Sequence, residues 1–178
     1  AKARFCLAFL SVFVKIYHLM KFTKAIQIMD KITTFRGKYN FLSNFYYSVV
    51  EYEGMKYSTV EHAYQAAKTK DQTIRKRIQE AVTPAGAKSI GRTIKARGDW
   101  YEINLIILES LIRQKFINYP TLGRKLLDTG DAEIIEGNTW NDQFFGMTRN
   151  KTGQWVGENH LGKILMKIRQ ELQEKENV

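Results

Sequence analysis

Apolar residues at helical spacing set the strongest limit on what this chain can become. Ile103, Ile106, Ile107, Leu111 and Phe116 recur on a 3.6-residue period after Asp99-Trp-Tyr-Glu102, a helix-start pattern. They predict a central buried helix. A second stripe, Leu161, Ile164, Leu165, Ile168 and Leu172, predicts a closing helix over about 158–175. Ser58-Thr-Val-Glu61 reads as a capping box, with Ser58 as N-cap and Glu61 at N3, opening a long helix over 59–81. Thr83-Pro84 opens a short helix to about 91, and Pro120 opens another, closed by Thr129-Gly130.

Strand signals are fewer and come early. Residues 32–35 read as a short strand followed by a turn over 36–40. Residues 49–52 and 55–57 read as a hairpin about Glu53-Gly54, and 132–136 as a strand joining that sheet. Residues 137–146 form a polar and aromatic loop, and 149–153 a flexible turn. The expected fold class is therefore α+β: a helix-dominated single domain with a small, mostly antiparallel sheet.

The chain has 178 residues, which suits one domain with one core. Its single cysteine, Cys6, excludes an internal disulfide, and His18, His62 and His160 have no metal-site spacing. No metal is expected. Net charge is +10, but Lys2, Arg4, Lys15, Lys21 and Lys24, with no acid before Asp30, supply half of it. The remaining body is mildly basic, which suits an anionic substrate such as a nucleotide, or solubility alone. Phe5 to Val14 imitates a signal peptide, but no small-residue cleavage site follows and the stretch is too short to span a bilayer. Residues 1–28 are expected to be an extension outside the domain, which would occupy 29–178 with Met29 as a candidate start.

Three groups of residues could carry chemistry. Glu61, Gln65 and Lys68 share one helix face at i, i+4 and i+7, with small Ala63, Ala66 and Ala67 beside them. A carboxylate, an amide and an amine at a helix head suit a sugar and a phosphate. Taken singly, Glu61 reads better as a capping residue and Lys68 better as a solvated surface lysine. Arg97 and Trp100 could bind phosphate and stack on a base, or be a surface arginine and a core tryptophan. The segment from Glu136 to Gly146 sets acids beside aromatics and glycines, a substrate-loop texture that also fits a turn with hydrophobic anchors.

Longer strings carry more. Phe41-Leu-Ser-Asn-Phe-Tyr, Ser58-Thr-Val-Glu-His-Ala-Tyr-Gln-Ala-Ala-Lys68, Gly91-Arg92 and Arg97-Gly-Asp-Trp100 occur in order. Leu127-Asp-Thr-Gly-Asp-Ala-Glu, Glu136-Gly-Asn-Thr-Trp-Asn-Asp142 and Asn159-His-Leu-Gly-Lys-Ile-Leu-Met166 follow. Over about 32–172 the chain closely resembles the NADAR, or YbiA-like, family.

That resemblance implies an N-glycosidase cleaving a ribose C1′–N bond, in riboflavin-pathway intermediates or in ADP-ribosylated guanine, free or in nucleic acid. It implies no cofactor, a small-molecule ribosyl or ADP-ribosyl nucleotide partner, no stable membrane partner and a cytoplasmic location. It puts catalytic roles on Glu61, Trp100, Asp142 and Lys68. It marks Asn44, Phe45, His62, Gln65, Arg97, Asn138, Trp140 and Gly146 as substrate-binding positions. Glu61 would face C1′, Asp142 would handle water or the ribose hydroxyls, and Lys68 would bind phosphate or form a Schiff base. The family often has Trp where this chain has Phe145, so an indole donor is lost there. A non-catalytic ADP-ribose-binding module is the principal alternative, and a nucleic-acid-binding protein a more distant one.

Overall fold

A computed structural model describes residues 31–176, so the apolar stretch 5–14 and the expected extension 1–28 lie outside the described residues. Six α-helices, one 3-10 helix and three two-stranded ladders make up the described elements. Strand β1 (Lys31–Ile32) pairs in parallel with β4 (Glu133–Ile134). Strands β2 (Tyr47–Tyr52) and β3 (Met55–Thr59) form an antiparallel hairpin. Its turn residues Glu53 and Gly54 both have positive φ, 45° and 79°, as a tight two-residue hairpin turn requires. A second small hairpin joins β5 (Thr148–Arg149) to β6 (Trp155–Val156).

The α+β class and the mostly antiparallel pairing are as expected. The Ile134 strand, however, pairs with β1 and leaves the β2–β3 hairpin as a separate ladder. The turn expected at 36–40 is a 3-10 helix, Gly37–Leu42, that buries Phe41 and Leu42.

The long helix expected over 59–81 is two helices, α1 (Val60–Ala66) and α2 (Gln72–Gln79). Asp71 caps α2, its Oδ1 accepting from the N–H groups of Thr73 at 2.8 Å and Ile74 at 3.2 Å. The fully buried Arg75 donates through Nε to the Thr69 carbonyl at 2.7 Å and locks the break. The capping box also moves by one residue. Ser58 lies in β3, and Thr59 is the N-cap, its hydroxyl accepting the His62 N–H.

Helix α3 (Pro84–Arg92) starts as expected, with Thr83 Oγ1 accepting from Gly86 N–H at 3.0 Å. Helix α4 (Trp100–Asn118) is the central helix. Its buried stripe is Asn104, Leu108, Leu111, Ile112, Lys115 and Phe116, and Ile106, expected inward, is 70% exposed. Asp99 precedes α4 but makes no side-chain cap, because Arg97 takes its carboxylate. Helix α5 (Pro120–Leu127) follows, and α6 (His160–Glu176) buries Leu161, Ile164, Leu165 and Ile168 as its period predicts. No helix among the described residues is long and apolar enough to cross a membrane.

Candidate active site

The head of α1 is fixed from two directions. Glu61 N–H donates to the Asn44 carbonyl at 3.1 Å, which ties the 43–45 loop to the helix start. The buried His62 is bound on both sides: Nδ1 lies 2.8 Å from Thr59 Oγ1 and Nε2 lies 3.0 Å from the Ala81 carbonyl. A carbonyl only accepts, so Nε2 carries the proton and Nδ1 accepts from the threonine hydroxyl. His62 therefore anchors α1 from behind and does not line the cavity described next.

One turn on, Gln65 Nε2 donates to Glu61 Oε1 at 2.8 Å, the contact that i, i+4 spacing makes available. Gln65 lies against Gly91 of α3, where an added Cβ would fall 1.9 Å from Gln65 Oε1. Glycine at that crossing lets α1 and α3 approach closely enough to pin the amide.

In front of Glu61 opens a cavity of about 520 Å³, within the usual range of small-molecule sites. It draws on six parts of the chain, of which α6 gives Leu161. The 43–45 loop gives Ser43, Asn44 and Phe45, and α1 and the turn after it give Glu61, Tyr64, Gln65 and Lys68. Helix α3 gives Lys88 and Arg92, and α4 gives Trp100, Tyr101, Asn104 and Leu108. The segment after β4 gives Glu136, Trp140, Asp142, Phe144 and Phe145.

Three carboxyl groups therefore face one cavity. Glu61 is held by Gln65. Asp142 Oδ1 accepts from the N–H groups of Phe144 at 3.2 Å and Phe145 at 2.9 Å. Glu136 Oε2 is shut off from solvent and has no hydrogen-bond partner. Burial, with Asp142 and Glu61 reinforcing it, pushes the Glu136 carboxyl up to about 7, while Lys88 pulls the other way. Among the described residues, no group of three or more His, Cys, Asp or Glu is placed to hold a metal ion.

The apolar wall is aromatic. The Tyr64 and Trp100 rings are 5.1 Å apart, and Phe145 meets Tyr64 edge-on at 5.8 Å. The ring at Phe145 is thus used for packing, whatever donor an indole would have added. Trp100 is only 8% exposed, whereas Trp140 at the mouth is 60% exposed. Burial of the Tyr64 hydroxyl, with Glu61 and Asp142 nearby, holds its pKa well above the ordinary tyrosine value, so it stays a donor.

The cationic side is Lys68, Lys88 and Arg92. Burial lowers the pKa of Lys68, Glu61 raises it, and Lys88 and Arg92 again lower it, for a net downward shift. Its Nζ reaches the Gly91 carbonyl only at 3.4 Å. Lys88 Nζ lies 5.7 Å from the Phe45 ring centre.

Of the positions singled out in the sequence, the cavity gathers Asn44, Phe45, Glu61, Gln65, Lys68, Trp100, Trp140 and Asp142. His62, Arg97, Asn138 and Gly146 lie outside its lining. Arg97 is occupied by Asp99, through Nε at 2.6 Å and Nη2 at 2.9 Å, and its N–H donates to the Lys68 carbonyl at 2.8 Å. It braces the segment entering α4, just before Trp100. Asn138 Nδ2 donates to the Asp142 carbonyl at 2.7 Å, and its Oδ1 accepts the Asp142 N–H at 3.0 Å, so it shapes the loop that presents Asp142. A Cβ on Gly146 would lie 2.2 Å from the Glu136 carbonyl oxygen, so glycine there permits the loop to close. Tyr64, Lys88 and Glu136 had no assigned role from sequence. Tyr64 sits between Glu61 and Lys68 in a string already quoted, and Glu136 opens the acid-and-aromatic segment, so both carried a signal. Nothing in the pattern around Lys88 distinguishes it from a surface lysine.

Fold and cavity together define an α+β domain whose pocket is lined by carboxyl groups, aromatic rings and cations. The NADAR domain family model matches residues 32–173, and the chain belongs to that family. It is 37% identical over 139 residues to an N-glycosidase of Nostoc punctiforme, covering 75% of this chain and 86% of that protein. It is 31% identical over 136 residues to the N-glycosidase YbiA of Escherichia coli, covering 75% and 82%. It is also 36% identical over 138 residues to a riboflavin biosynthesis protein of Vibrio vulnificus, covering 76% of this chain but only 36% of that longer protein. The NMR structure of E. coli YbiA superposes with a TM-score of 0.67 at 28% identity, over 85% of this chain and 93% of that one.

Proposed function

We propose that this protein is an N-glycosidase that hydrolyses the ribose C1′–N bond of a ribosylated base carrying phosphate. The observation that carries the reading is the single cavity lined by Glu61 and Asp142 together with aromatic rings and the basic side chains of Lys68, Lys88 and Arg92. Its relatives' names support the bond type, and its size suits a nucleotide.

Breaking C1′–N builds positive charge at C1′ and negative charge on the departing base. Glu61, steadied by Gln65, faces the sugar and stabilises the oxocarbenium-like state. Asp142, fixed by two backbone N–H groups, orients the attacking water or the ribose hydroxyls. Trp100 and Tyr64 form the wall for the base, and the exposed Trp140 ring closes the mouth. Lys88 and Arg92 take the phosphate that the sequence alone assigned to Arg97, because Arg97 is already paired. The lowered pKa of Lys68 favours its free amine, which suits a Schiff base with an opened ribose as well as phosphate binding.

Two substrate types fit: ribosylated intermediates of riboflavin synthesis, and ADP-ribosylated guanine. A chromatographic assay of free-base release from both tests the reading and chooses between them. Release of base from either supports the enzyme, whereas tight ADP-ribose binding with no release from any substrate assigns the cavity to a non-catalytic module. Borohydride added during turnover, followed by mass spectrometry, decides Lys68: an adduct supports the covalent route, and none removes it.

A further inference from the structure

Three carboxyl groups face the cavity, and their hydrogen-bond environments divide them. Glu61 Oε1 accepts from Gln65 Nε2, and Asp142 Oδ1 accepts from two backbone N–H groups. Glu136 receives nothing at Oε2, and that oxygen is out of contact with water. An ionised carboxylate in that position would be left without compensation, so the neutral acid is the stable form.

Its main chain is pinned, and the residue is part of the cavity lining. Glu136 N–H donates to Asn159 Oδ1 at 3.1 Å, and its carbonyl accepts the Met147 N–H at 2.9 Å. Gly146 leaves the room, since a Cβ there would also fall 3.0 Å from Glu136 Oε2. Of the charged groups around it, Asp142 and Glu61 disfavour ionisation and Lys88 favours it, with Lys68 and Arg92 on the cationic side of the same cavity.

We propose that Glu136 is the general acid of the reaction, delivering the proton that the departing base requires. This rests on the N-glycosidase reading above. The C1′–N bond breaks with its electron pair moving to the base nitrogen, and the Glu136 carboxyl proton goes to the base. Water adds its oxygen to C1′ and gives up a proton, which returns Glu136 to its acid form. One water is consumed, and one free base and one sugar are produced. The separation of tasks follows the rule that like groups in unlike surroundings take opposite acid–base roles.

The test compares wild type and Glu136→Gln on two kinds of leaving group. A riboside of a neutral base needs the proton, and the variant is expected to lose about 100-fold or more in kcat/KM. A riboside of a pyridinium base leaves as a neutral amine, and the variant is expected to stay within about threefold of wild type, since no proton is needed. Wild-type activity toward the neutral base should fall as pH rises through about 7, and Glu136→Gln should lack that alkaline limb. Glu136→Asp, which restores an acid on a shorter stem, should recover part of the rate, and melting curves should show both variants folded. Equal losses on both leaving groups, or a retained alkaline limb in Glu136→Gln, overturn the assignment. The two readings fail differently: wild type inert toward every riboside overturns both, while active wild type with an undiminished Glu136→Gln overturns only this one.

Discussion

Gly91 shows how a residue with no side chain can govern a candidate catalytic group. Its missing Cβ is what lets Gln65 sit against α3, and Gln65 in turn holds Glu61. Gly91→Ala should cost about 1–3 kcal/mol by overpacking and should also lower kcat, because Gln65 must swing away from Glu61. In a Gln65→Ala background the same change should cost less, because only the 2.9 Å approach to the Cβ of residue 65 remains, as chemical melts of the four proteins would reveal; equal costs in both backgrounds would refute the contact with the amide. Glu136 makes a second prediction through proton linkage. Its folded pKa lies above the ordinary value of 4.5, so between about 4.5 and 7 the unfolded chain releases a proton that the native chain keeps. Stability from this group therefore declines as pH rises through that window and stays low above it. Glu136→Gln should remove the decline, gaining up to about 3 kcal/mol over wild type at pH 8 and little at pH 4, at about 1.4 kcal/mol per tenfold change in proton affinity. At this scale the sequence revealed residues whose partners are close along the chain. Glu61 and Gln65 were readable from i, i+4 spacing, whereas Asn159 on the Glu136 N–H and Gly146 beside its Oε2 come near only in the fold.

Elements were legible where caps and periods agreed. The Thr83-Pro84 start, the Glu53-Gly54 turn and the α6 stripe all follow from local chemistry. The α1–α2 break was missed although Asp71 is a standard cap, because the helical pattern on either side is continuous and the lock is the burial of Arg75 beneath it. Ile106 was misplaced because α4 turns a partly polar stripe inward, with Asn104 and Lys115 among its buried residues. Lys115 has a purpose there: Nζ donates to the Ser43 carbonyl at 2.8 Å and lies 5.4 Å from the Tyr46 ring centre. It supports the loop whose next residue, Asn44, accepts the Glu61 N–H. Lys115→Met keeps the apolar stem and removes that donor. It should destabilise by about 1 kcal/mol in urea melts and reduce kcat more than KM. Unchanged kcat would mean the loop holds its place without the lysine.

For the whole molecule, class and family were readable because the diagnostic strings are long and ordered, while the way the ladders divide was not. Strands of two residues leave almost no alternating pattern, so the pairing of Ile32 with Ile134 depends on contacts distant in sequence. The family match begins at residue 32 and β1 at Lys31, which motivates a deletion test of residues 1–28 as a dispensable extension. Deleting residues 1–28 should leave activity intact and the melting temperature within about 2 °C, a stability change of no more than about 1 kcal/mol for a domain this size. A large loss of either would make the extension part of the working protein. The central claim, that Glu61 is the working carboxylate of an N-glycosidase, is tested most directly by the rate of free-base release from a ribosylated substrate by wild type and by folded Glu61→Gln. The expected result is release by wild type and a fall of about 10²–10⁴-fold in the variant. Equal release by the two proteins would return Glu61 to a structural role at the head of α1.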